Sequence, residues 1–250
     1  WSGAGNIFVQ NGAPFWNEAD GVFEVQNDAV YQKDPWSAAG AFHNAGVFRK
    51  MGSAGTTTFD GILFNNTGKL GVLRGTLTFD AALDLAPTTT IEIGLGGAPE
   101  TANYGRIASG QALQLMGHLA VRFVDGFIPG PDEDYQVIVA PIRGECQSYS
   151  VPDIASEIFM NPVYLANGLW LATIDAVPVL LGGGAIDSEG RFTLDIQGAV
   201  NQRYAVEAST DFLEWTVLEI GAIPASTIWR FVDEDVAVFP RRFYRVKFEP

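Results

Sequence analysis

The chain has 250 residues, of which 47% are hydrophobic and 18% charged, and its formal net charge is -14. This composition excludes a disordered chain, and the negative charge argues against nucleic-acid binding because phosphate backbones repel it. The single cysteine, Cys146, excludes an intrachain disulfide, and no apolar run approaches the roughly 20 residues that a membrane-spanning helix needs.

The first 40 residues are rich in Trp, Asn, Gly and Asp, which favours short strands joined by turns. Two segments, Ile7–Val9 and Val22–Val25, have the β-branched and aromatic residues typical of strands. The sequence opens on Trp1 without a methionine. We interpret this opening as a mature chain from which a leader peptide has been removed.

Residues 41–97 contain a motif that returns at an offset of 22 residues. The four matched pairs are Phe42 with Phe64, Asn44 with Asn66, Gly46 with Gly68, and Phe48 with Leu70. A period of about 20–25 residues is typical of a β-solenoid, in which each coil lies on the previous one. The glycine permits a bend with positive φ, and the asparagine can bond its equivalent in the next coil. The repeat therefore predicts stacked coils.

Residues 104–174 continue the alternating pattern, with one helix candidate at residues 154–160. The glycine-rich residues 178–184 are typical of a linker or capping turn. From residue 185 onward, strand-like runs alternate with turns, a texture that favours a small antiparallel sandwich. We therefore predict an all-β chain with two domains, a β-solenoid over residues 1–178 and a small β-sandwich over residues 183–250.

Two stretches of the predicted solenoid, residues 42–79 and 104–140, resemble the β-helical stalks of autotransporter-passenger-like bacterial surface proteins. The motifs are Asn-x-Gly-x-apolar with Gly-Thr-Leu-Thr-Phe, and Tyr-Gly-Arg-Ile with Tyr-Gln-Val-Ile-Val. The tail, residues 204–215 and 239–246, resembles a C-terminal β module of large secreted bacterial proteins. The resemblance implies export and a scaffold or adhesive role, and it carries over no catalytic residues.

The densest acidic cluster, Asp132, Glu133 and Asp134, is the candidate for a Ca²⁺ site, although adjacent turn residues supply only part of such a coordination shell. A solvated turn explains it more simply. Residues 233–235 have the same character. We predict no other cofactor.

An enzyme is the catalytic alternative, namely a polysaccharide lyase or hydrolase on a β-helix. Such chemistry needs paired carboxylates or a Ca²⁺ site with a basic residue. The residues that can share one coil face are Asp60, Asp80 and Asp84, or Arg49, Lys50 and Arg74. At the repeat offset position 50 stacks near Val72, so the basic residues do not align. His43 and His118 are the only histidines, and we expect both on the surface or in turns.

We predict an exported structural or adhesive protein of the cell surface or an extracellular assembly. A solenoid leaves open strand edges at its ends, which must be capped or paired. The aromatic residues expected to mediate head-to-tail or edge-strand self-association are Trp1, Phe8, Phe15 and Trp16. A glycan-binding module remains the second alternative, because exposed aromatic rings stack on sugars.

Overall fold

The computed structural model describes residues 1–154, 158–175, 179–198 and 200–249. The chain forms two compact units, Trp1–Ile174 and Asp175–Pro250. Nearly all regular structure in the described residues is β-strand, with 3-10 turns at Pro99–Thr101 and Val236–Val238. None of the helical segments found in these residues has the length and apolar character needed to cross a membrane.

The strands of the first unit are, in chain order, β1 (Ile7–Val9), β2 (Phe15–Asn17), β3 (Val22–Val25), β4 (Val30–Lys33), β5 (Ala41–Asn44), β6 (Val47–Lys50), β7 (Thr56–Asp60), β8 (Leu63–Asn66), β9 (Lys69–Val72), β10 (Gly75–Phe79), β11 (Leu83–Leu85), β12 (Thr90–Leu95), β13 (Gly105–Ser109), β14 (Leu113–Gln114), β15 (His118–Phe123), β16 (Asp134–Val139), β17 (Ile142–Arg143), β18 (Ser148–Ser150), β19 (Ile158–Leu165) and β20 (Gly168–Asp175). The strands of the second unit are β21 (Leu180–Ile186), β22 (Phe192–Gln197), β23 (Arg203–Ser209), β24 (Thr216–Ala222), β25 (Ile228–Asp233) and β26 (Phe243–Glu249).

Successive strands of the first unit join three different sheets in turn and then return to the first. Sheet A has the order β1-β4-β7-β10-β13-β16-β20-β19, sheet B the order β11-β8-β5-β2, and sheet C the order β18-β15-β12-β9-β6-β3. A two-stranded sheet, β14-β17, follows sheet B. Pairing between consecutive layers is parallel from β1 to β18, and β20 then joins β16 in the antiparallel sense.

The predicted 22-residue offset corresponds to direct pairing of neighbouring strands. Phe42 lies opposite Phe64 and Asn44 opposite Asn66, while Phe48 lies opposite Leu70. The rings of Phe42 and Phe64 are parallel, with centroids 5.0 Å apart. Tyr31, Phe59 and Phe79 form a second stack with centroid distances of 5.0 and 5.5 Å. Aromatic columns thus fill the core of the first layers, and aliphatic residues such as Leu83 follow Phe64 in the next layer.

A ladder of asparagine side chains runs beside these columns. Asn17 donates to Asn44 at 2.7 Å, Asn44 donates to Asn66 at 2.5 Å, and Asn66 donates to the Thr89 hydroxyl at 3.1 Å. All four side chains are buried, so each amide replaces the water that it loses with a neighbour from the next layer. The predicted bond between equivalent asparagines is confirmed.

The glycines of the repeat have a different role from the one predicted. Gly46 and Gly68 are not among the residues with positive φ. A Cβ on Gly68 would lie 2.2 Å from the Gly46 carbonyl oxygen, and a Cβ on Gly46 would lie 2.3 Å from the Gly21 carbonyl oxygen. The constraint is therefore the close approach of one layer's backbone to the next, not the conformation of the turn.

Two element predictions are wrong. The helix candidate over residues 154–160 ends in strand β19, which begins at Ile158 and lies beside β20 at the end of sheet A; residues 155–157 lie outside the described part of the chain. The predicted linker over residues 178–184 includes most of strand β21, in which Gly182 pairs with Asp195 of β22 and an irregularity follows before Ala185; residue 178 lies outside the described part.

The second unit consists of two three-stranded antiparallel sheets, β21-β22-β25 and β24-β23-β26. Their shared core contains Leu194, Ile196, Tyr204, Val206, Ile223 and Phe231. The sequence predicts that Trp215 and Tyr244 are both buried in strands, but both are half-buried and only Tyr244 lies in a strand. Trp215 precedes β24 and is half-buried, with the Arg245 guanidinium 4.1 Å from its ring centroid. Tyr244 is half-buried and stacks on Phe192 at 4.2 Å.

Candidate functional site

The candidate site is the end of the first unit formed by β1, β2 and β3. Each of these strands is the last of its sheet, so one backbone edge of each has no neighbouring strand among the described residues. We call this surface the open end. Unpaired strand edges are able to add a further strand from another chain.

Core side chains of the first layer are partly uncovered at the open end. Phe15 stacks on Phe42 at 4.8 Å and meets Phe23 edge to face at 5.3 Å, and its exposed fraction is 38%. Phe23 in turn stacks on Phe48 at 5.4 Å and is half-buried, as is Ile7. Phe42 and Phe48, one layer further in, are fully buried. Phe15 is therefore more exposed than its neighbours because it lies on the terminal strand of sheet B in the described residues.

Three outward-facing apolar residues lie on the same terminal strands. Phe8 in β1, Trp16 in β2 and Val22 in β3 are 56%, 60% and 60% exposed. The Trp16 indole stacks on the His43 ring with centroids 3.9 Å apart and planes 12° apart. Two of the four residues predicted for self-association, Phe8 and Trp16, thus face solvent, and a third, Phe15, faces the open end.

The fourth predicted residue, Trp1, binds within the chain. Its backbone nitrogen donates to the Glu24 carbonyl at 2.7 Å, and its carbonyl accepts from the Gln26 amide at 2.9 Å. The indole N–H donates to Gly5, and the ring lies 6.2 Å from Tyr31 in an edge-on arrangement. Trp1 therefore covers part of the edge of β3.

The charges behind the open end are paired. Glu24 accepts hydrogen bonds from Gln26 and Arg49, and the Arg49 guanidinium lies 2.6 Å from the carboxylate. These hydrogen bonds lower the pKa of Glu24 below its ordinary value, and the bond from Gln26 has the largest effect. Because its carboxylate is paired, Glu24 contributes less repulsion to a second negatively charged chain than a free carboxylate does.

The predicted stacking of position 50 on Val72 is confirmed, and Lys50 does not share an outer face with Arg49 and Arg74. It occupies a core position opposite Val72 and is fully buried. Its ammonium donates to the Asn27 carbonyl at 2.8 Å, to Ser53 and Thr57 at 2.9 and 3.0 Å, and to the Asp28 carboxylate at 3.0 Å. Lys50 therefore ties the corner after β3 to the corner after β6, and it is not available to a substrate.

Two of the three aspartates considered for catalysis, Asp60 and Asp80, lie at the same corner in neighbouring layers, and the third lies on another sheet. Asp60 ends β7 and Asp80 follows β10, so these two occupy neighbouring layers of sheet A, whereas Asp84 lies in β11 of sheet B. All three side chains are exposed. Asp84 is therefore separated from the other two by a change of sheet.

The acidic triplet lies in the loop that enters β16. Glu133 accepts from the Gly130 amide at 3.1 Å and from the Tyr135 hydroxyl, while Asp132 and Asp134 are exposed. Residues 1–154, 158–175, 179–198 and 200–249 contain no group of three or more His, Cys, Asp or Glu side chains placed to hold a metal ion. At residues 233–235, Asp233 is buried and pairs with Arg242 at 2.8 Å.

The remaining polar candidates are dispersed, with His43 in β5 of sheet B beside the open end and His118 in β15 of sheet C. His118 contacts the hydroxyls of Ser148 and Ser150, both at 2.9 Å, on the outer face of sheet C. His43 and His118 are both on strand faces and not in turns. Cys146 is half-buried beside Tyr164, and burial raises the pKa of its thiol. Such a thiol is a poor nucleophile near neutral pH.

Sequence reasoning missed strands β2 and β4, and with them the full extent of the open end. β2 contains only Phe15, Trp16 and Asn17, and an alternating pattern is not visible over three residues. The residue that could have revealed β2 in the sequence is Asn17, which precedes Gly21 by four residues and starts the asparagine ladder. Comparison with known proteins adds no further information, since no family model, curated protein or solved structure matches this chain.

Proposed function

We propose that this chain is an exported structural or adhesive protein of a cell surface or extracellular assembly, and that it self-associates through the open end. The single observation that carries the proposal is the uncovered first layer. Three sheets end there on their terminal strands, the edge of β3 being partly covered by Trp1, and the core side chains Ile7, Phe15 and Phe23 are partly exposed. Free edges supply backbone affinity, and side chains such as Phe8 and Trp16 supply register.

The fold is suited to the proposed structural role. We propose that the first unit is a β-solenoid and the second a small β-sandwich. The cyclic order of sheets A, B and C, the parallel pairing and the asparagine ladder support the solenoid. The shared core of two antiparallel sheets supports the sandwich. In a solenoid each layer contacts mainly its neighbours, so an uncovered layer is a natural place for addition.

The occupant of the open end is a second copy of the chain. The opposite end of the repeat is different, because β20 reverses direction on sheet A and residues such as Val151 and Ile154 pack on the core. This asymmetry favours edge pairing between two open ends over head-to-tail stacking. Pairing of like surfaces is two-fold and places the two β1 strands antiparallel, a geometry that closes after two copies.

Sedimentation velocity over a range of concentrations tests the proposal. The wild-type chain should form a dimer that Phe15→Lys abolishes, because a lysine at the open end places an unpaired charge in the interface. Leu63→Lys is the matched control, since Leu63 is 43% exposed but lies in β8, between β5 and β11. Both changes make the net charge less negative, so general repulsion cannot explain a loss of the dimer.

A wild-type chain that stays monomeric contradicts the proposal. So does a Phe15→Lys chain that dimerises as tightly as Leu63→Lys. Truncation of residues 1–20 is a less direct test, because it removes β1 and β2 and uncovers Phe42 as a new open layer.

A further inference from the structure

A cavity of about 450 Å³ lies at the C-terminal ends of the strands of sheet C. Arg49 of β6, Arg74 after β9 and Arg122 of β15 all line it. These strands belong to one parallel sheet, in which β9 pairs with β6 and β12 lies between β9 and β15, with Lys50 opposite Val72, Val72 opposite Ile93 and Ile93 opposite Val121. Their ends therefore fall at one corner of successive layers. Three arginines thus line one cavity in a chain whose net charge is -14.

The three arginines are not equally engaged. Arg49 pairs with Glu24 and Arg74 pairs with Asp125, and both contacts hold their guanidinium groups in place. Arg122 is exposed, and within the described residues it has no ion pair or side-chain hydrogen bond. One positive charge at the cavity is thus uncompensated and available to an anion.

The other walls of the cavity suit a sugar ring. Leu73 and Phe123 provide apolar surface, on which the C–H face of a pyranose can pack. Asp125, whose side chain is 60% exposed, retains acceptor oxygens for hydroxyl groups. The volume is in the range of small-molecule sites. A planar guanidinium binds a carboxylate through two parallel hydrogen bonds.

We propose that this cavity binds a saccharide that carries carboxylates, with one uronate residue on the apolar wall and its carboxylate on Arg122. The net charge of the chain repels densely charged polyanions at long range, which favours a ligand with few charges per residue. The proposal does not depend on self-association, because it concerns a corner of sheet C and not the open end.

Isothermal titration calorimetry of the full chain with a galacturonate tetrasaccharide tests the proposal. The methyl-esterified tetrasaccharide, which has the same rings without the charges, should bind more weakly by about tenfold or more, and added salt should weaken the acidic form. Arg122→Gln should lose about tenfold in affinity for the acidic form. Arg143→Gln is the matched control, because Arg143 is also an exposed strand arginine and lies in β17 away from the cavity.

Equal thermal melting of the two variants should confirm that both are folded. Phe15→Lys should bind the tetrasaccharide like the wild type, which separates this proposal from the proposed self-association. Four results would overturn the proposal: no heat of binding, equal affinity for the methyl ester, equal affinity of the Arg122→Gln and Arg143→Gln variants, or tighter binding of a hexaglutamate peptide than of the tetrasaccharide.

Discussion

Replacing Gly68 by alanine should separate two layers of the first unit. The new Cβ would lie 2.2 Å from the Gly46 carbonyl oxygen and 2.4 Å from that of Ala45, whereas real Cβ contacts stay beyond 3.0 Å. Both neighbours are backbone atoms, so no rotamer change relieves the contact. The layers must part locally by about 0.8 Å, the difference between the first contact and that limit.

The loss of stability follows from the backbone hydrogen bonds that join the two layers around Gly68. The amides of Thr67 and Gly68 donate to the Asn44 carbonyl at 2.8 and 3.2 Å, and the Lys69 amide donates to Gly46 at 2.9 Å. An added separation of about 0.8 Å moves all three beyond hydrogen-bonding distance. Each contributes about 0.5–1.5 kcal/mol, so Gly68→Ala should lower the unfolding free energy of the first unit by about 2–4 kcal/mol.

The assay is urea unfolding monitored by hydrogen exchange. Peptides that cover residues 41–72 report on the first unit alone. Gly110→Ala is the matched control, because a Cβ at Gly110 has no atom within 4 Å and its φ is not positive. The control should be neutral or slightly stabilising. If Gly68→Ala is as stable as Gly110→Ala, the layers are not in the close contact described here.

Lys50→Met should lower the unfolding free energy of the first unit by about 2–4 kcal/mol in the same assay, because the Asp28 carboxylate and the Thr57 hydroxyl lose the bond from Lys50 and the buried Asn27 carbonyl keeps only the bond from Thr57. Lys33→Met, at a half-buried lysine without an ion pair among the described residues, should change it little, and equal effects would contradict the role of Lys50. Low pH should also destabilise the corner around Lys50. Burial acts to raise the pKa of Asp28, but hydrogen bonds from Lys50 and Ser53 outweigh this effect and leave the pKa below the ordinary 3.8. A lowered folded-state pKa gives stability that is complete above the unfolded-state pKa and is lost as the pH falls through the folded-state value. The stability of Asp28→Asn should therefore depend less on pH below about pH 4 than that of the wild type, and identical pH profiles would refute this.

Part of this fold can be predicted from the sequence because some layers have constant length. Phe42, Asn44 and Phe48 recur after 22 residues, so their pairing is visible as a repeat, and β1 and β3 are visible as β-rich runs. The step later lengthens to 30 residues between His118 and Ser148. A search for a fixed offset then no longer finds the paired strands. Loops of different length leave these strands paired in space but change the number of residues between them.

The candidate sites could not be predicted for two reasons: the residue spacing between layers varies, and the sequence does not show how deeply a side chain is buried. Arg49, Arg74 and Arg122 share a corner although their spacing follows no single period, so the cavity is not visible in the sequence. Lys50 looks like a surface lysine, because the sequence does not reveal the four oxygen acceptors around its ammonium. The aromatic residues of the open end can be identified from composition, but only the strand order separates Phe15, on the last layer, from Phe42, which is covered.

Hydrogen exchange measured as a function of protein concentration tests the open end most directly. If two copies pair there, the amides of β1, β2 and β3 should become protected as the concentration rises through the dimer transition, while those of β8 and β11 should stay constant. The Phe15→Lys chain should show no such change at any concentration. Dimerisation with unchanged exchange in β1, β2 and β3, or with protection confined to other strands, would contradict the account.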